Sequence, residues 1–350
     1  MSTIILTGGG TAGHCLPNIA LLPTLKKNFD KIYYVGSKTG IEKNIALKNN
    51  LKYYEISTAK LKRKLTFSNL KIPIELIKGI NQAKRIIKET SPDVIFSKGG
   101  YVSIPMVIAG FMCKIPVITH ESDLTIGLAN KIASNFSKKV LTSFPETADK
   151  IKKGLYVGPP IRQDIFKGNK EYAYQFFGFN RDKPVLLVTG GSQGAKSINS
   201  AIINILPSLL KTFNVIHLCG RGNLSQIKEK GYFQAEFLNE IEMAFAITDV
   251  CLTRAGSNTL FELLALKIPC LVIPLPKDES RGDQILNAKY FEKKGVINLL
   301  YQENITDNRL YEEIVKTHNE KELLISNLDR LSIKSSNEKI CEILLKYSKQ

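Results

Sequence analysis

What this 350-residue chain lacks narrows its function before any motif is considered. No apolar run approaches the roughly 18 residues needed to cross a bilayer as a helix. The start of the chain passes from Met1 into Thr3-Ile4-Ile5-Leu6-Thr7-Gly8 with no basic leader and no small-residue cleavage site, so no signal peptide is expected. The six cysteines (Cys15, Cys113, Cys219, Cys251, Cys270 and Cys341) are scattered and form no CxxC pair. They are expected to be reduced thiols of a cytosolic protein, with no zinc site and no other metal. No lysine follows the glycines of 8–13, which argues against a GxxxxGK[ST] loop, and the usual spacing of the dinucleotide fingerprint is missing as well. Acidic residues are scarce in one half only: residues 1–160 hold 24 Lys and Arg against 10 Asp and Glu, while 161–350 hold 25 against 22. An excess confined to one half implies an anionic partner for that half, either nucleic acid or an acidic membrane surface.

What is present is alternation. Short apolar runs at 3–7, 31–35, 53–56, 94–96, 117–119 and 140–141 are separated by longer amphipathic segments. The pattern resumes at 185–189, 215–218, 235–238, 250–252, 271–273 and 297–299. This predicts parallel α/β layers. The stretch 154–162, rich in Gly and Pro, reads as a linker between domains 1–160 and 161–335, and a last helix near 336–350 is expected to pack back on the first domain. An internal echo supports two similar halves: a strand running into Gly8-Gly9-Gly10-Thr11-Ala12-Gly13, and another running into Gly190-Gly191-Ser192-Gln193-Gly194. In open parallel sheets, ligands bind at the carboxyl ends of the strands.

Candidate functional residues cluster at those ends. The segment 249–262, DVCLTRAGSNTLFE, takes a strand through a small-residue turn into a helix start, where unpaired N–H groups and the helix dipole suit phosphate oxygens. Glu262, one turn into that helix, either accepts from ribose hydroxyls or is simply solvated. His14 is a general-base candidate at a helix start, or a locally bonded histidine. Gly99-Gly100-Tyr101 and His120-Glu121-Ser122-Asp123 are expected on the same rim, where Asp123 binds a polyol or caps a helix. Gly190 to Ala195 is the best anion cradle. Phe245 stacks on a base or belongs to the core, and 278–284 is a polar loop able to read sugar hydroxyls.

In order, GGTAGH (9–14), GGYVS (99–103), HES-D-x₃-GLAN (120–130), GGSQGA (190–195), RAGxxTxxE (254–262) and DQxxNA (283–288) resemble the MurG family of peptidoglycan glycosyltransferases. The resemblance covers the chain to about residue 300. Where that family often has HEQN and NPVR, this chain has His120-Glu121-Ser122-Asp123 and Pro159-Pro160-Ile161-Arg162. The resemblance implies the GT-B glycosyltransferase architecture, two facing Rossmann-like domains with a cleft between them. It also implies inverting transfer of N-acetylglucosamine from UDP-N-acetylglucosamine to the 4-hydroxyl of undecaprenyl-pyrophosphoryl-N-acetylmuramyl-pentapeptide, in cell-wall synthesis. The alternative is another UDP-sugar enzyme of this fold, a glycolipid glycosyltransferase or a 2-epimerase.

Carried onto this chain, the resemblance implies catalytic roles for His14 and Glu121. It implies a donor site of Thr11, Gly13, Arg162, Ser192, Gln193, Gly194, Phe245, Thr259, Glu262, Asp283 and Gln284, with acceptor contacts at Tyr101 and Asp123. No cofactor is expected, and no nucleic-acid partner. A lipid-linked acceptor and the basic, partly apolar stretch 61–89 together imply peripheral docking on an anionic membrane, at the cytoplasmic face of the inner membrane. Phe67, Lys71, Ile74, Lys78 and Arg85 are the expected membrane contacts, since Lys71, Lys78 and Arg85 recur every seven residues.

Overall fold

A computed structural model describes residues 2–59, 72–191 and 194–348. The chain divides into two compact units, Met1–Arg162 with Ser335–Gln350, and Gln163–Lys334.

The first unit alternates strands and helices: β1 (Thr3–Thr7), α1 (Ala12–Asn28), β2 (Lys31–Ser37), α2 (Ile41–Lys48), β3 (Lys52–Ile56), α3 (Ile72–Thr90), β4 (Val94–Ser97), α4 (Ile104–Met112), β5 (Val117–Glu121), α5 (Leu128–Phe136), β6 (Lys139–Thr142), α6 (Pro145–Asp149) and β7 (Gly154–Tyr156). The second unit runs α7 (Lys170–Phe177), β8 (Val185–Thr189), α8 (Lys196–Thr212), β9 (Asn214–Leu218), β10 (Tyr232–Ala235), α9 (Ile241–Ile247), β11 (Val250–Thr253), α10 (Ser257–Ala265), β12 (Cys270–Val272), α11 (Asp283–Lys293), β13 (Asn298–Leu299), α12 (Asp307–Asn319) and α13 (Lys321–Leu331). The last helix, α14 (Asn337–Ser348), belongs to the first unit.

Each unit holds one sheet, ordered β3-β2-β1-β4-β5-β6-β7 in the first and β10-β9-β8-β11-β12-β13 in the second, with every pairing parallel. Parallel strands covered by helices on both faces are buried throughout, so they read as continuous apolar runs rather than alternating ones. β1 and β8 are buried at every residue. In the first unit, α1 and α14 cover one face through Leu21, Leu25, Ile340 and Leu344. The other face takes Ala83, Ile86 and Ile87 of α3 with Met106 and Val107 of α4. In the second unit Ile198, Ile202, Leu206 and Leu209 of α8 pack with Leu310 and Ile314 of α12.

The halves share a device that the sequence reading did not find. Asp93, just before β4, accepts the Thr3 N–H through Oδ2 at 2.6 Å, and its own N–H reaches the Thr3 carbonyl at 2.9 Å. Asp249, just before β11, does the same to Val185 at 2.8 and 2.9 Å. In both units this pins the first strand to its neighbour and aligns their carboxyl ends: Thr7 lies beside Ser97, and Thr189 beside Thr253.

Two expectations need correction. The linker stretch contains β7, a three-residue edge strand paired to β6, which its Gly and Pro content disguised. The strand expected at 235–238 lies at Tyr232–Ala235, so Phe237 stands beyond the strand's carboxyl end. At the end of the chain, Asn337 is 4% exposed and anchors α14. Its Nδ2 donates to the carbonyls of Ala20 (3.0 Å) and Ile161 (2.8 Å), and its Oδ1 accepts the Ile161 N–H at 3.2 Å. Asn337→Ala leaves those buried groups unpaired and is expected to destabilise the chain by about 1–3 kcal/mol. Urea unfolding followed by far-UV circular dichroism measures this, and an unchanged midpoint would show that α14 docks through its apolar face alone.

Candidate active site

Both sheets reverse their winding at one place: β1 is flanked by β2 and β4, and β8 by β9 and β11. The loops leaving the two central strands at such a switch point depart to opposite faces, and a crevice opens between them. In the first unit those loops are 8–11 and 98–100, and in the second they are 190–195 and 254–256. The helices that follow β1, β8 and β11 share a second property. None of α1, α8 and α10 has a side-chain N-cap bond or an acidic residue in its first turn. The dipole charge at these helix starts is therefore uncompensated from within, which favours an anion there. By contrast α7 and α12, which begin away from the crevices, are capped by Asn169 and Thr306.

In the first unit the glycines are required by contact. A Cβ on Gly100, whose φ is +78°, would lie 2.2 Å from the Gly9 carbonyl oxygen and 3.0 Å from Cδ2 of His14. A Cβ on Gly10 would lie 2.6 Å from Cε1 of Tyr101. The two turns thus interlock, and the rings of His14 and Tyr101 border them. His14 Nδ1 is 3.3 Å from the Lys98 carbonyl oxygen. When Nδ1 carries the proton and donates it there, Nε2 becomes the basic nitrogen. Burial and the nearby charge of Glu42 raise the Tyr101 phenol above its ordinary value, so the hydroxyl keeps its proton. Thr11 and Gly13 are exposed at the start of α1.

Glu121 is 4% exposed and has a different task from the one expected. Its Oε1 accepts the Asp123 N–H at 3.0 Å, and its Oε2 accepts the Gly127 N–H and Asn130 Nδ2, both at 2.9 Å. Three donors engage the two oxygens, so the carboxylate orders the loop that carries the half-buried Asp123 instead of offering itself as a base.

Two buried charges here were missing from the expected site. Glu42 is fully buried; its Oε2 accepts the Gly10 N–H and its Oε1 the Ser37 N–H, each at 3.1 Å, with the Ser37 hydroxyl as a further donor. It is the inner support of the first glycine turn. Lys98 is 2% exposed, with Nζ 2.7 Å from His120 Nδ1 and bonded to Ser122 Oγ. Their signals in the sequence, a Glu early in α2 and a Lys before a Gly-Gly pair, are too common to single out.

In the second unit, Gly194 has φ +72°, and a Cβ there would lie 2.1 Å from the Cys219 carbonyl oxygen. By contrast, Gly191 and Gly256, on the neighbouring loops, have nothing within 4 Å of a built Cβ, so the space above them is open. Ser192 and Gln193 fall outside the described residues. Thr259 and Glu262 lie half-buried in the first turns of α10. Asn287 of α11 is fully buried, and its Nδ2 holds the Ala255 carbonyl at 3.3 Å. Asp283, at the start of α11, pairs with Arg281 at 3.0 Å, and Gln284 Oε1 accepts the Leu275 N–H at 3.0 Å. Arg162 is half-buried and is the last residue before the second unit begins.

Arg254 was expected only as part of a motif. It is 7% exposed and donates to the carbonyls of Ile273 (3.2 Å) and Pro274 (3.1 Å), to Ser197 Oγ (3.0 Å) and to Gln302 Oε1 (2.6 Å). Burial lowers its pKa from the ordinary value, yet a guanidinium stays charged. It ties the exits of β11 and β12 to the start of α8.

Phe245 requires a correction. It is 7% exposed within α9 and lines a cavity of about 380 Å³ with Ile165, Asp249 and Pro269. Asp249 and Pro269 precede β11 and β12, so this is the amino end of the sheet, opposite the crevice. Phe237, 66% exposed just past the carboxyl end of β10, is the aromatic at the crevice end. Misplacing β10 by three residues hid it.

Two parallel α/β units, each with glycine turns and uncapped helix starts at its switch point, fit the binding of a phosphorylated ligand, and the comparisons give the class, a glycosyltransferase. Residues 4–142 match the glycosyltransferase family 28 N-terminal domain and 185–341 its C-terminal domain. The chain is 45% identical over 352 residues to the UDP-N-acetylglucosamine–N-acetylmuramyl-(pentapeptide) pyrophosphoryl-undecaprenol N-acetylglucosamine transferase of Clostridium botulinum (strain Alaska E43 / Type E3), covering 99% of this chain and 98% of that one. It is 44% identical over 349 residues to the protein of that name from Clostridium tetani (strain Massachusetts / E88), covering 98% of each. Among solved structures, Acinetobacter baumannii MurG superposes with a TM-score of 0.75 at 22% identity, covering 99% of this chain and all of that one. Neisseria meningitidis UDP-GlcNAc 2-epimerase superposes at 0.66 and 15%, covering 99% of each, a likeness of fold alone. The chain belongs to the MurG family within glycosyltransferase family 28.

Lys98 provides a test of the site's electrostatics. Desolvation, partly offset by Glu121 and Asp123, lowers its pKa from 10.5 to about 8. A lysine pKa below its unfolded value means that folding disfavours the charged form. Stability from this group is greatest above about pH 10.5, falls as pH drops through the window down to about 8, and is constant below. Lys98→Met is therefore expected to raise stability at pH 7 by about 1–3 kcal/mol, after allowing for two lost hydrogen bonds. The gain should shrink between pH 8 and 10. Paired denaturant titrations at pH 7 and 9.5 measure it, and a variant less stable than wild type at pH 7 would contradict the assignment.

Proposed function

We propose that this chain transfers N-acetylglucosamine, with inversion, from UDP-N-acetylglucosamine to the 4-hydroxyl of the lipid-linked muramyl-pentapeptide; the names of its full-length relatives state, for them, an N-acetylglucosamine transfer between UDP-N-acetylglucosamine and N-acetylmuramyl-(pentapeptide) pyrophosphoryl-undecaprenol. The observation that carries this reading is 45% identity over 99% of the chain, together with switch-point loops built for a diphosphate. The second unit takes the donor. The α8 and α10 helix starts and Arg162 receive the diphosphate, with Gly194, Ser192 and Gln193 in the cradle. Thr259 lies beside it, Glu262 accepts the ribose hydroxyls, Phe237 in place of Phe245 faces the base, and Asp283 and Gln284 read the sugar. The first unit takes the acceptor at Tyr101 and Asp123, with Thr11 and Gly13 beside His14.

In the reaction, the acceptor oxygen forms a bond to the anomeric carbon while the bond from that carbon to the phosphate oxygen breaks. The electron pair leaves with UDP, and the hydroxyl proton goes to Nε2 of His14. Charge on the leaving diphosphate develops where the helix dipoles already point, so little reorganisation is needed. Glu121 acts through the loop it orders. The membrane reading rests on α3. Among the described residues no helix is long and apolar enough to cross a membrane. Ile74 and Ile77 of α3 are 66% and 60% exposed. Lys78 and Arg85 are exposed on the same helix, while Phe67 and Lys71 lie outside the described residues. Exposed isoleucines and cations along one helix fit peripheral docking on an anionic leaflet, which for this substrate is the cytoplasmic face of the inner membrane.

Two measurements separate the halves of this reading. His14→Ala is expected to lower turnover by roughly 10²–10⁴ with UDP affinity unchanged. Glu262→Ala is expected to weaken UDP by about 1.5–3 kcal/mol in calorimetry. Near-normal turnover in a folded His14 variant would remove it as the base, and unchanged UDP affinity would remove Glu262 from the donor site. For docking, co-sedimentation with anionic vesicles at low salt should exceed that with neutral vesicles and fall at high salt. Equal binding to both lipids would contradict an electrostatic contribution.

A further inference from the structure

Lys98 is the one lysine among the described residues withdrawn from solvent, and its main chain and side chain hold different parts of the acceptor rim. Its N–H donates to the Thr7 carbonyl at 2.9 Å, and its carbonyl oxygen is the partner of His14 Nδ1 at 3.3 Å. Its Nζ reaches across to β5, where His120 Nδ1 is 2.7 Å away and Ser122 Oγ is also bonded. An ammonium can only donate. His120 Nδ1 must therefore accept, and the ring proton sits on Nε2, 3.4 Å from the Gly158 carbonyl oxygen. Burial and the charge of Lys98 both keep that ring neutral. Between His120 and Ser122 stands Glu121, whose carboxylate holds the backbone of Asp123 and Gly127. A methionine would fill the same volume without desolvating a charge. The ammonium adds direction: it sets the tautomer of His120 and the rotamer of Ser122.

We infer that Lys98 is a positioning residue for the acceptor, a clamp that holds the 120–123 segment against the turn behind His14, so that Asp123 and the His14 ring meet the attacking hydroxyl in one geometry. The inference rests on the transfer reaction proposed above. Lys98 itself is too deeply buried to touch substrate, so its effect should appear in acceptor use and not in donor binding.

The test compares full-length wild type, Lys98→Met and Lys98→Gln, using UDP-N-acetylglucosamine and the muramyl lipid as substrates. Lys98→Met should lower kcat/KM for the lipid on the order of 10- to 100-fold, the range that a small misplacement of reacting groups produces. KM for the donor and calorimetric UDP affinity should stay within about twofold of wild type, since charge and contacts in the donor unit are untouched. Lys98→Gln keeps one donor for His120 and should recover part of the loss. A folded Lys98→Met enzyme with lipid kcat/KM within twofold of wild type would overturn the inference, as would parallel loss of UDP affinity or failure of this variant to fold. Should wild type bind UDP but make no product, the transfer reading falls by itself. Imidazole ¹⁵N shifts of His120 then still judge the clamp: a tautomer identical in wild type and Lys98→Met would refute it.

Discussion

Everything functional in this chain depends on the topological switch in each parallel sheet. A strand buried on both faces needs helices above and below, and the chain can supply both only by winding outward from a central strand in two directions. At β1/β4 and at β8/β11 the outgoing loops separate, and the aspartate clasps from Asp93 and Asp249 hold the paired strands in register beneath them. The loops are short, rich in glycine and followed by uncapped helices. That one arrangement supplies close backbone approach, N–H donors and positive dipole ends at the same place.

The price of such a site is buried charge. Lys98, Glu42 and Arg254 are each at most 7% exposed, and none forms an ion pair among the described residues. Each is instead held by neutral partners: His120 and Ser122, the Gly10 and Ser37 amides, and the carbonyls of Ile273 and Pro274. Burying charge without an opposite partner is unfavourable for stability. All three lie at the carboxyl ends of strands or directly under a glycine turn, where they orient loops. Fold stability alone would be served as well by apolar side chains.

Much of this was legible in the sequence because the signals were local. Apolar runs of two to five residues marked all but one of the strands, and β10 alone was displaced. The glycine turns announced the crevices, since a positive φ beside a close backbone contact admits few other residues. What stayed hidden depended on tertiary partners. β7 is an edge strand of three residues, and its Leu155 and Tyr156 are exposed, so it carries no buried apolar run. Glu121 looked like a base until its three donors were visible. Phe245 and Phe237 are both aromatics near a strand, and only the position of β10 tells which one stands at the carboxyl end. Of the isoleucines on α3, Ile74, an expected membrane contact, and Ile77 face solvent while Ile80 packs against the core, a distinction that helical periodicity alone leaves open.

The product of the reaction is the most direct test. The purified chain, mixed with UDP-N-acetylglucosamine and the undecaprenyl-pyrophosphoryl muramyl-pentapeptide in detergent, should release UDP and yield a lipid-linked disaccharide. Mass spectrometry and proton NMR of the disaccharide should show N-acetylglucosamine in β-linkage to the 4-hydroxyl, inverted from the α-linkage of the donor. An α-linked product, or free 2-epimerised sugar with no disaccharide, would contradict it.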